Sequence, residues 1–140
     1  MSKKKLVYLA GPLFTHAEVE YNCKLKDMLL KKSFSVFLPQ EDAEDSSFER
    51  ERQNQESIFK KCIEGVDVSD IVVAVLDGVD VDSGTAWEIG YAYAKGKPVI
   101  GLRTDFRSLS DGIVNLMVEM AIVALARDEE ELLEIIDKYK

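Results

Sequence analysis

The fold is decided by one stretch of sequence, IVVAVLDGVDVDSGTAWEIGYAYAKGKPVI, which covers residues 71–100. The apolar run Ile71–Leu76 is unbroken, as is typical of a central strand that is covered on both faces. An acidic loop separates it from a helical pattern, Thr85–Ala94, and Pro98–Leu102 is a second apolar run. Strand, helix and strand in this order predict a parallel sheet with helices packed on it.

The same alternation of patterns continues over the whole chain. We predict that residues 1–140 form a single domain, a five-stranded parallel sheet with helices on both faces and the flavodoxin-like strand order 2-1-3-4-5. The further predicted strands are Lys5–Ala10, Ser35–Leu38 and Met120–Leu125, and the further helices run from Thr15 to Lys32, over Ile58–Val66, around Asp111–Val118 and over Asp128–Lys140. We interpret Gln40–Gln55 as a polar surface excursion. Thr15 with Glu18, and Asp128 with Glu131, have the spacing of capping pairs.

Composition excludes several classes of function. The 140 residues carry a net charge of −8 at pH 7, which disfavours a nucleic-acid backbone as a partner. No apolar run approaches the roughly 18 residues of a membrane span, so we expect no membrane association, no signal peptide and a cytoplasmic location. Cys23 and Cys62 are expected to be reduced thiols. With His16 as the single histidine, no metal site is expected.

The predicted strand order marks one edge of the sheet as a ligand site. In such sheets ligands bind beyond the carboxyl ends of the strands, where the order reverses between strands 1 and 3. The segments that follow these strands are Tyr8–Phe14 and Asp77–Glu88. Neither contains a Gly-rich phosphate-binding motif. Leu13 and Phe14 are suited to form an apolar wall for a flat ring.

Glu88 has two competing explanations. Thr85 and Glu88 have the T-x-x-E spacing of a capping box, in which Glu88 would bind the backbone N–H of Thr85. The alternative is catalysis, because small residues at helical spacing, Gly84 and Thr85 among them, leave open space beside the carboxylate. A helix N-terminus also favours the ionised form of a carboxylate. Glu88 is therefore a candidate nucleophile as well as a candidate capping residue.

Further candidate residues surround Glu88 at this edge. Asp77, Asp80 and Asp82 lie in the loop after strand 3, where Asp is also common for reasons of turn geometry. Asp82 precedes the helix and is either its N-cap or a second functional carboxyl group. Tyr8, near the end of strand 1, either reaches a carboxylate or packs in the core.

Taken in order, the motifs resemble those of the nucleoside 2-deoxyribosyltransferase family over nearly the whole chain. The most specific is D-S-G-T-A-W-E-I-G-Y-A at Asp82–Ala92. The others are Y-L-A-G-P-L-F at Tyr8–Phe14, L-P-Q at Leu38–Gln40, S-D-I-V-V-A-V-L-D-G at Ser69–Gly78, G-K-P-V-I at Gly96–Ile100 and N-L-M at Asn115–Met117.

The resemblance implies an exchange of bases on a 2-deoxyribose, with a nucleoside and a free purine or pyrimidine base as partners. Glu88 matches the nucleophile that forms a covalent deoxyribosyl intermediate, Asp82 matches the residue that handles the proton of the base, and Tyr8 matches the residue that orients the nucleophile. The substrate-binding positions that we expect are Gly11, Leu13, Phe14, Gln40, Asp77, Gly84, Asn115 and Met117. No cofactor is implied. The family is oligomeric, and the resemblance implies that Asn115 serves the site of a neighbouring subunit.

One departure from the family and two alternatives stay open. Many members carry an Asp at the position of Cys62, which puts base preference in doubt. An N-glycosidase with the same nucleophile would use water as acceptor, and the sequence does not separate it from a transferase. The turn after strand 1 lacks the Gly and Arg residues that hold a phosphate in a related nucleotide-hydrolysing branch, which favours a nucleoside substrate. A phosphoacceptor receiver would use Asp77, but no acidic residue follows strand 1.

Overall fold

The computed structural model describes residues 3–43, 52–108 and 112–140. Within these residues, five strands, β1 to β5, span Leu6–Ala10, Ser35–Phe37, Ile71–Val75, Val99–Leu102 and Ala124–Ala126. The same residues contain six helices, α1 to α6, at His16–Lys31, Pro39–Asp42, Arg52–Val68, Ser83–Ala94, Leu116–Ala121 and Glu129–Asp137. In this described part of the chain, no helix is both long enough and apolar enough to cross a membrane.

The strands form a parallel sheet with the order β2-β1-β3-β4-β5, which confirms the predicted fold. Tyr8 of β1 lies beside Phe37 of β2 and beside Val72 of β3. β3 pairs in turn with β4, and β4 pairs with β5. The chain therefore reverses its direction of travel across the sheet between β1 and β3, and the carboxyl ends of these two strands define a crevice.

The two faces of the sheet carry separate parts of the core. Successive residues of a strand point to opposite faces. Val7 and Leu9 pack on one face with Leu25 of α1 and with residues of α6. Tyr8 packs on the other face, with Ile89 of α4 and with residues of α3 and α5. This alternation directs the Tyr8 side chain toward the helix that carries Glu88.

Local capping fixes the starts of α1 and α6. Thr15 Oγ1 accepts a hydrogen bond from the backbone N–H of Glu18 at 3.1 Å, and the Glu18 carboxylate accepts one from the N–H of Thr15 at 2.9 Å. The predicted capping box is thus confirmed. Asp128 Oδ1 accepts from the N–H of Glu131 at 2.8 Å, so Asp128 is the predicted cap of α6.

Three predicted boundaries are wrong. The helix predicted around Asp111–Val118 is α5, which spans Leu116–Ala121. α3 begins at Arg52 rather than at Ile58, so the polar stretch Gln40–Gln55 contains part of α2 and the first turn of α3. Residues 44–51 of that stretch lie outside the described residues. β5 is not Met120–Leu125 but Ala124–Ala126, because α5 continues to Ala121. Polar and Ala-rich segments have weak local preferences, and tertiary packing decides their boundaries.

Candidate active site

Tyr8 and Glu88 meet beneath the carboxyl edge of the sheet. Tyr8 is fully buried on β1, where its ring stacks on that of Phe37 with 5.3 Å between the ring centroids. Its hydroxyl donates a hydrogen bond to Oε2 of Glu88 on α4. The two residues are 80 positions apart in the sequence, so the fold itself brings them together.

The Glu88 carboxyl group titrates near neutrality. Burial disfavours its charged form and raises its pKa from 4.5 to about 7. The hydrogen bond from Tyr8 lowers this pKa and the negative charge of Asp82 raises it, both by less than burial does. The sequence led us to expect that the helix N-terminus would keep Glu88 ionised. Burial outweighs that effect, so the carboxyl group is only partly ionised near pH 7.

Asp82 is the N-cap of α4. Its Oδ2 accepts hydrogen bonds from the backbone N–H of Thr85 at 3.0 Å and from the Thr85 hydroxyl at 3.1 Å. The capping box considered for Thr85 and Glu88 is therefore wrong, because Thr85 lies inside the helix and its N–H is bonded to Asp82. This arrangement leaves the Glu88 carboxylate available to Tyr8.

A cavity of about 360 Å³ lies at this edge of the sheet, within the size range of small-ligand sites. Six of the predicted site residues line it together: Gly11, Leu13, Phe14, Asp82, Gly84 and Glu88. A side chain at Gly11 would crowd the end of β3, because a Cβ atom there would lie 3.1 Å from the Cβ of Val75. The structure thus combines two carboxyl groups and an apolar turn, with Tyr8 bonded to Glu88 below.

Another wall of the cavity comes from α3, of which sequence reasoning singled out only Cys62. This wall consists of Gln55, Ile58, Phe59 and Cys62. The spacing of three and four residues is that of one helix face, and it was present in the sequence, but we predicted the helix to start only at Ile58. Pro39 and Trp87 also line the cavity. Trp87 is 48% exposed, and its ring packs edge-on against that of Phe59.

Cys62 lies close to the Tyr8–Glu88 pair. Cys62 lines the cavity, and its side chain interacts with the hydroxyl of Tyr8. Burial, the charge of Glu88 and this interaction raise the pKa of the Tyr8 hydroxyl far above its usual range. Tyr8 therefore remains a protonated hydrogen-bond donor at any pH at which the protein works.

Two predicted substrate-binding residues are directed elsewhere. The Gln40 side chain is bonded to α1, where its Nε2 donates to the carbonyl oxygen of Val19 at 3.1 Å. Asp77 Oδ1 accepts from the backbone N–H of Thr104 at 2.7 Å and of Asp105 at 2.9 Å. Asp77 thereby joins the loop after β3 to the loop after β4. Gln40 and Asp77 are absent from the described residues that line the cavity over Glu88.

Asn115 and Met117 lie on a different surface. Asn115 is the N-cap of α5, and its Oδ1 accepts from the N–H of Met117 at 2.9 Å. Both residues line a second cavity, between α4 and α5, together with Tyr93 and Met120. The Met117 residue is 77% exposed. A single chain therefore does not bring these two residues to Glu88.

The reactive groups that line the cavity include the carboxyl groups of Glu88 and Asp82. One carboxyl group that titrates near neutrality, a second at the start of α4 and an apolar wall suit substitution at a glycosidic carbon. Within residues 3–43, 52–108 and 112–140, no group of three or more His, Cys, Asp and Glu side chains could hold a metal ion.

Solved structures resemble this chain over nearly its full length. A conserved protein from Enterococcus faecalis V583 is 33% identical, with a TM-score of 0.82 over 99% of this chain and 100% of that chain. A 2-deoxyribosyltransferase from the psychrotolerant bacterium Bacillus psychrosaccharolyticus is 27% identical, with a TM-score of 0.80 over 91% of this chain and 90% of that chain.

Sequence comparison extends the same relationship. An uncharacterized protein of Ureaplasma parvum serovar 3 is 34% identical over an alignment of 107 residues, and this alignment covers 71% of this chain and 66% of that protein. The match thus spans just under two thirds of the length of that relative. The family model for nucleoside 2-deoxyribosyltransferase matches residues 7–129, which is most of the chain. The chain belongs to the nucleoside 2-deoxyribosyltransferase family.

Proposed function

We propose that the protein transfers the 2-deoxyribosyl group of a 2'-deoxynucleoside from one base to another through a covalent intermediate on Glu88. One observation carries this proposal. The Glu88 carboxyl group accepts a hydrogen bond from the buried Tyr8 hydroxyl and also lines a cavity that it shares with Asp82. Membership of the family and the likeness to a 2-deoxyribosyltransferase support the same reaction.

In the first half-reaction, an oxygen of ionised Glu88 attacks the anomeric carbon of the nucleoside. The bond from this carbon to the base nitrogen breaks, its electron pair stays on the base, and the protonated form of Asp82 delivers the proton that the base gains, which leaves Asp82 as a carboxylate. The transition state resembles an oxocarbenium ion, which a nearby carboxylate stabilises and then captures. Gly84 lines the cavity without a side chain and so leaves room for the sugar.

In the second half-reaction, a nitrogen of the incoming base attacks the same carbon. The bond to the Glu88 oxygen breaks, the carboxylate is restored, and Asp82 takes up the proton that the incoming base loses. The base would lie against the apolar side chains of the lining, Leu13, Phe14 and Phe59, since aromatic side chains favour stacked or edge-on contact with a flat ring. The scheme uses no cofactor.

The charge of the cavity favours a nucleoside over a nucleotide. Its described lining contains the carboxyl groups of Asp82 and Glu88 and no Lys, Arg or His side chain. A phosphate group would meet like charge there without a compensating cation. Deoxyadenosine should therefore be a better donor than its 5'-monophosphate.

We further propose a homo-oligomer in which Asn115 contacts the sugar bound to a neighbouring subunit. Asn115 and Met117 line the second cavity, which lies apart from Glu88. Large exposed apolar side chains surround it: Tyr93, Leu116, Met117 and Met120. Exposed apolar patches of this kind mark protein interfaces.

Chromatography of deoxyinosine incubated with the protein, with and without adenine, tests the proposed reaction. A transferase forms deoxyadenosine, and forms it only when adenine is present. Free hypoxanthine without an acceptor base would instead identify the N-glycosidase, and no product under either condition would contradict both activities. Glu88→Gln should abolish exchange, whereas Glu64→Gln, at an exposed position of α3, should leave it unchanged.

A further inference from the structure

Asn22 is a buried amide that joins two segments of the chain. It lies on α1 and is 4% exposed. Its Nδ2 donates one hydrogen bond to the carbonyl oxygen of Pro12 and another to Oε1 of Gln40, each at 3.0 Å. Its Oδ1 lies 3.5 Å from the point where a Cβ atom of Gly11 would be. Asn22 therefore supports the turn between β1 and α1 from below.

Gln40 completes the same network from α2. Its Nε2 donates to the carbonyl oxygen of Val19 at 3.1 Å and to Sγ of Cys23 at 3.3 Å. The amide of Gln40 is thus bonded on both of its polar atoms, and all of these partners belong to α1. A residue that the sequence suggested for substrate binding is instead directed away from the cavity.

The two segments joined by this network are walls of the active-site cavity. Gly11, Leu13 and Phe14 line it from the turn after β1, and Pro39 lines it from the start of α2. Side chains hold the rest of this turn as well, since the Glu18 carboxylate accepts from the N–H of Phe14 at 3.1 Å. The distance between the two walls depends on α1 as a common support.

We propose that Asn22 and Gln40 are positioning residues, which set the spacing between the Leu13–Phe14 wall and the Pro39 wall and so the fit of the base. This inference rests on the proposed function for its kinetic readout. Loss of either amide leaves the other amide and its former partners buried without hydrogen bonds, which costs free energy. We therefore expect the two walls to shift when either residue is replaced. A misplaced wall weakens the binding of a base without removing the nucleophile or Asp82.

The decisive comparison is Asn22→Ala and Gln40→Ala with Leu29→Ala. Leu29 is a fully buried residue of the same helix, but it packs in the core on the opposite face of the sheet from Tyr8. All three variants should unfold at lower temperatures than the wild type. Only the two amide variants should raise the KM for adenine, by about tenfold, while kcat at saturation stays within about threefold of the wild-type value.

Two further measurements do not depend on catalysis. Trp87 is the single tryptophan of the chain and lines the cavity, so quenching of its fluorescence by adenine reports binding directly. Hydrogen exchange of the peptide that contains Leu13 and Phe14 reports the order of the turn itself. Asn22→Ala should weaken adenine binding by about tenfold and speed exchange in that peptide, and Leu29→Ala should do neither.

These measurements separate failure of this inference from failure of the proposed reaction. The wild-type protein could show no base exchange while Asn22→Ala still speeds hydrogen exchange in the turn and weakens adenine binding. This result would contradict the proposed reaction and support the positioning role. The opposite result is equal hydrogen exchange of the turn peptide in Asn22→Ala and Leu29→Ala, with the KM for adenine and the affinity for adenine within twofold of wild type in both variants. Asn22 would then serve only the stability of the fold, and the inference would be wrong.

Discussion

The Tyr8 hydroxyl donates a hydrogen bond to Oε2 of Glu88, which joins the first strand of the sheet to the helix after the third. Tyr8 is held by stacking on Phe37, and its donor proton persists because the pKa of its hydroxyl is raised far above the usual range. The same bond opposes the effect of burial on the pKa of Glu88. This single contact therefore both orients the proposed nucleophile and keeps part of it ionised.

Tyr8→Phe should move the pH dependence of base exchange. Glu88 must be ionised to attack, so kcat/KM should rise with pH through an apparent pKa of about 7 in the wild type. Removing the hydroxyl removes the interaction that lowers this pKa, so the apparent pKa of the kcat/KM profile should increase by about one unit. One unit corresponds to about 1.4 kcal/mol of lost stabilisation of the ionised carboxylate. Activity at pH 6 should fall more than activity at pH 9. An unchanged profile would show that Tyr8 does not act through the ionisation of Glu88.

Glu88→Gln should change how stability depends on pH. The pKa of Glu88 is raised from 4.5 to about 7 in the folded protein, so its contribution to stability is fully present below pH 4.5 and is lost as the pH rises through 7. Gln keeps the acceptor for Tyr8 but does not titrate. The stability of the variant relative to wild type should therefore increase by about 3 kcal/mol between pH 4.5 and 7.5. Urea denaturation at both pH values measures this difference, and a constant difference would place the Glu88 pKa near 4.5.

Asp82 has a structural and a proposed chemical role, and two substitutions separate them. Asn caps helices about as well as Asp, so Asp82→Asn should change the free energy of unfolding by no more than about 0.5 kcal/mol. It cannot transfer the proton, so exchange should fall by about 100-fold or more. Asp82→Ala should lose the base-exchange activity, and its free energy of unfolding should also fall by about 1 kcal/mol. Full activity in Asp82→Asn would mean that Asp82 serves only as a cap.

The sequence predicts the fold well because its signals are local. The apolar run Ile71–Leu76 identifies the central strand, observed at Ile71–Val75, and Thr15 with Glu18 identifies the start of α1. The order of strands follows from the alternation of strand and helix, which leaves few ways to build a parallel sheet. Residues in the segments that follow strands 1 and 3, such as Gly11 and Asp82, reach the cavity for the same reason.

The rest of the site depends on partners that are distant in the chain. Asp77 stands in the right loop, but its carboxylate binds the loop of Thr104, 27 residues later. Gln40 matches a motif, but a buried amide 18 residues earlier, Asn22, accounts for its side chain. Most of the wall of α3 escaped prediction because that helix starts inside a polar stretch, where periodicity gives a weak signal.

Cys62→Asp should make Glu88 harder to ionise. Cys62 shares its cavity with Asp82 and Glu88 and interacts with Tyr8, so a carboxylate there would add negative charge beside two existing carboxyl groups. Like charge raises the pKa of a carboxyl group. The rise of kcat/KM with pH should therefore begin at a higher pH than in the wild type, while Cys62→Ser, which is uncharged, should leave it near 7. A shift to lower pH in Cys62→Asp would contradict this electrostatic account.

Asn115 lies apart from Glu88 in the single chain, because it lines the second cavity between α4 and α5. Glu88→Ala and Asn115→Ala should each be nearly inactive alone. If Asn115 serves the site of a neighbouring subunit, a mixed dimer contains one site with both defects and one site with neither. Equal amounts of the two variants, co-expressed so that subunits mix, should then recover about a quarter of wild-type activity for a symmetric dimer.

Met117→Asp provides the matched control for this complementation. It places a charge on the exposed apolar surface beside Asn115, where Met117 is 77% exposed in the single chain, and should leave the fold intact. The variant should elute as a smaller species in gel filtration and lose exchange, because each Glu88 would lack its neighbouring Asn115. No recovery on mixing the first two variants, with full activity in a monomeric Met117→Asp, would show that each subunit works alone.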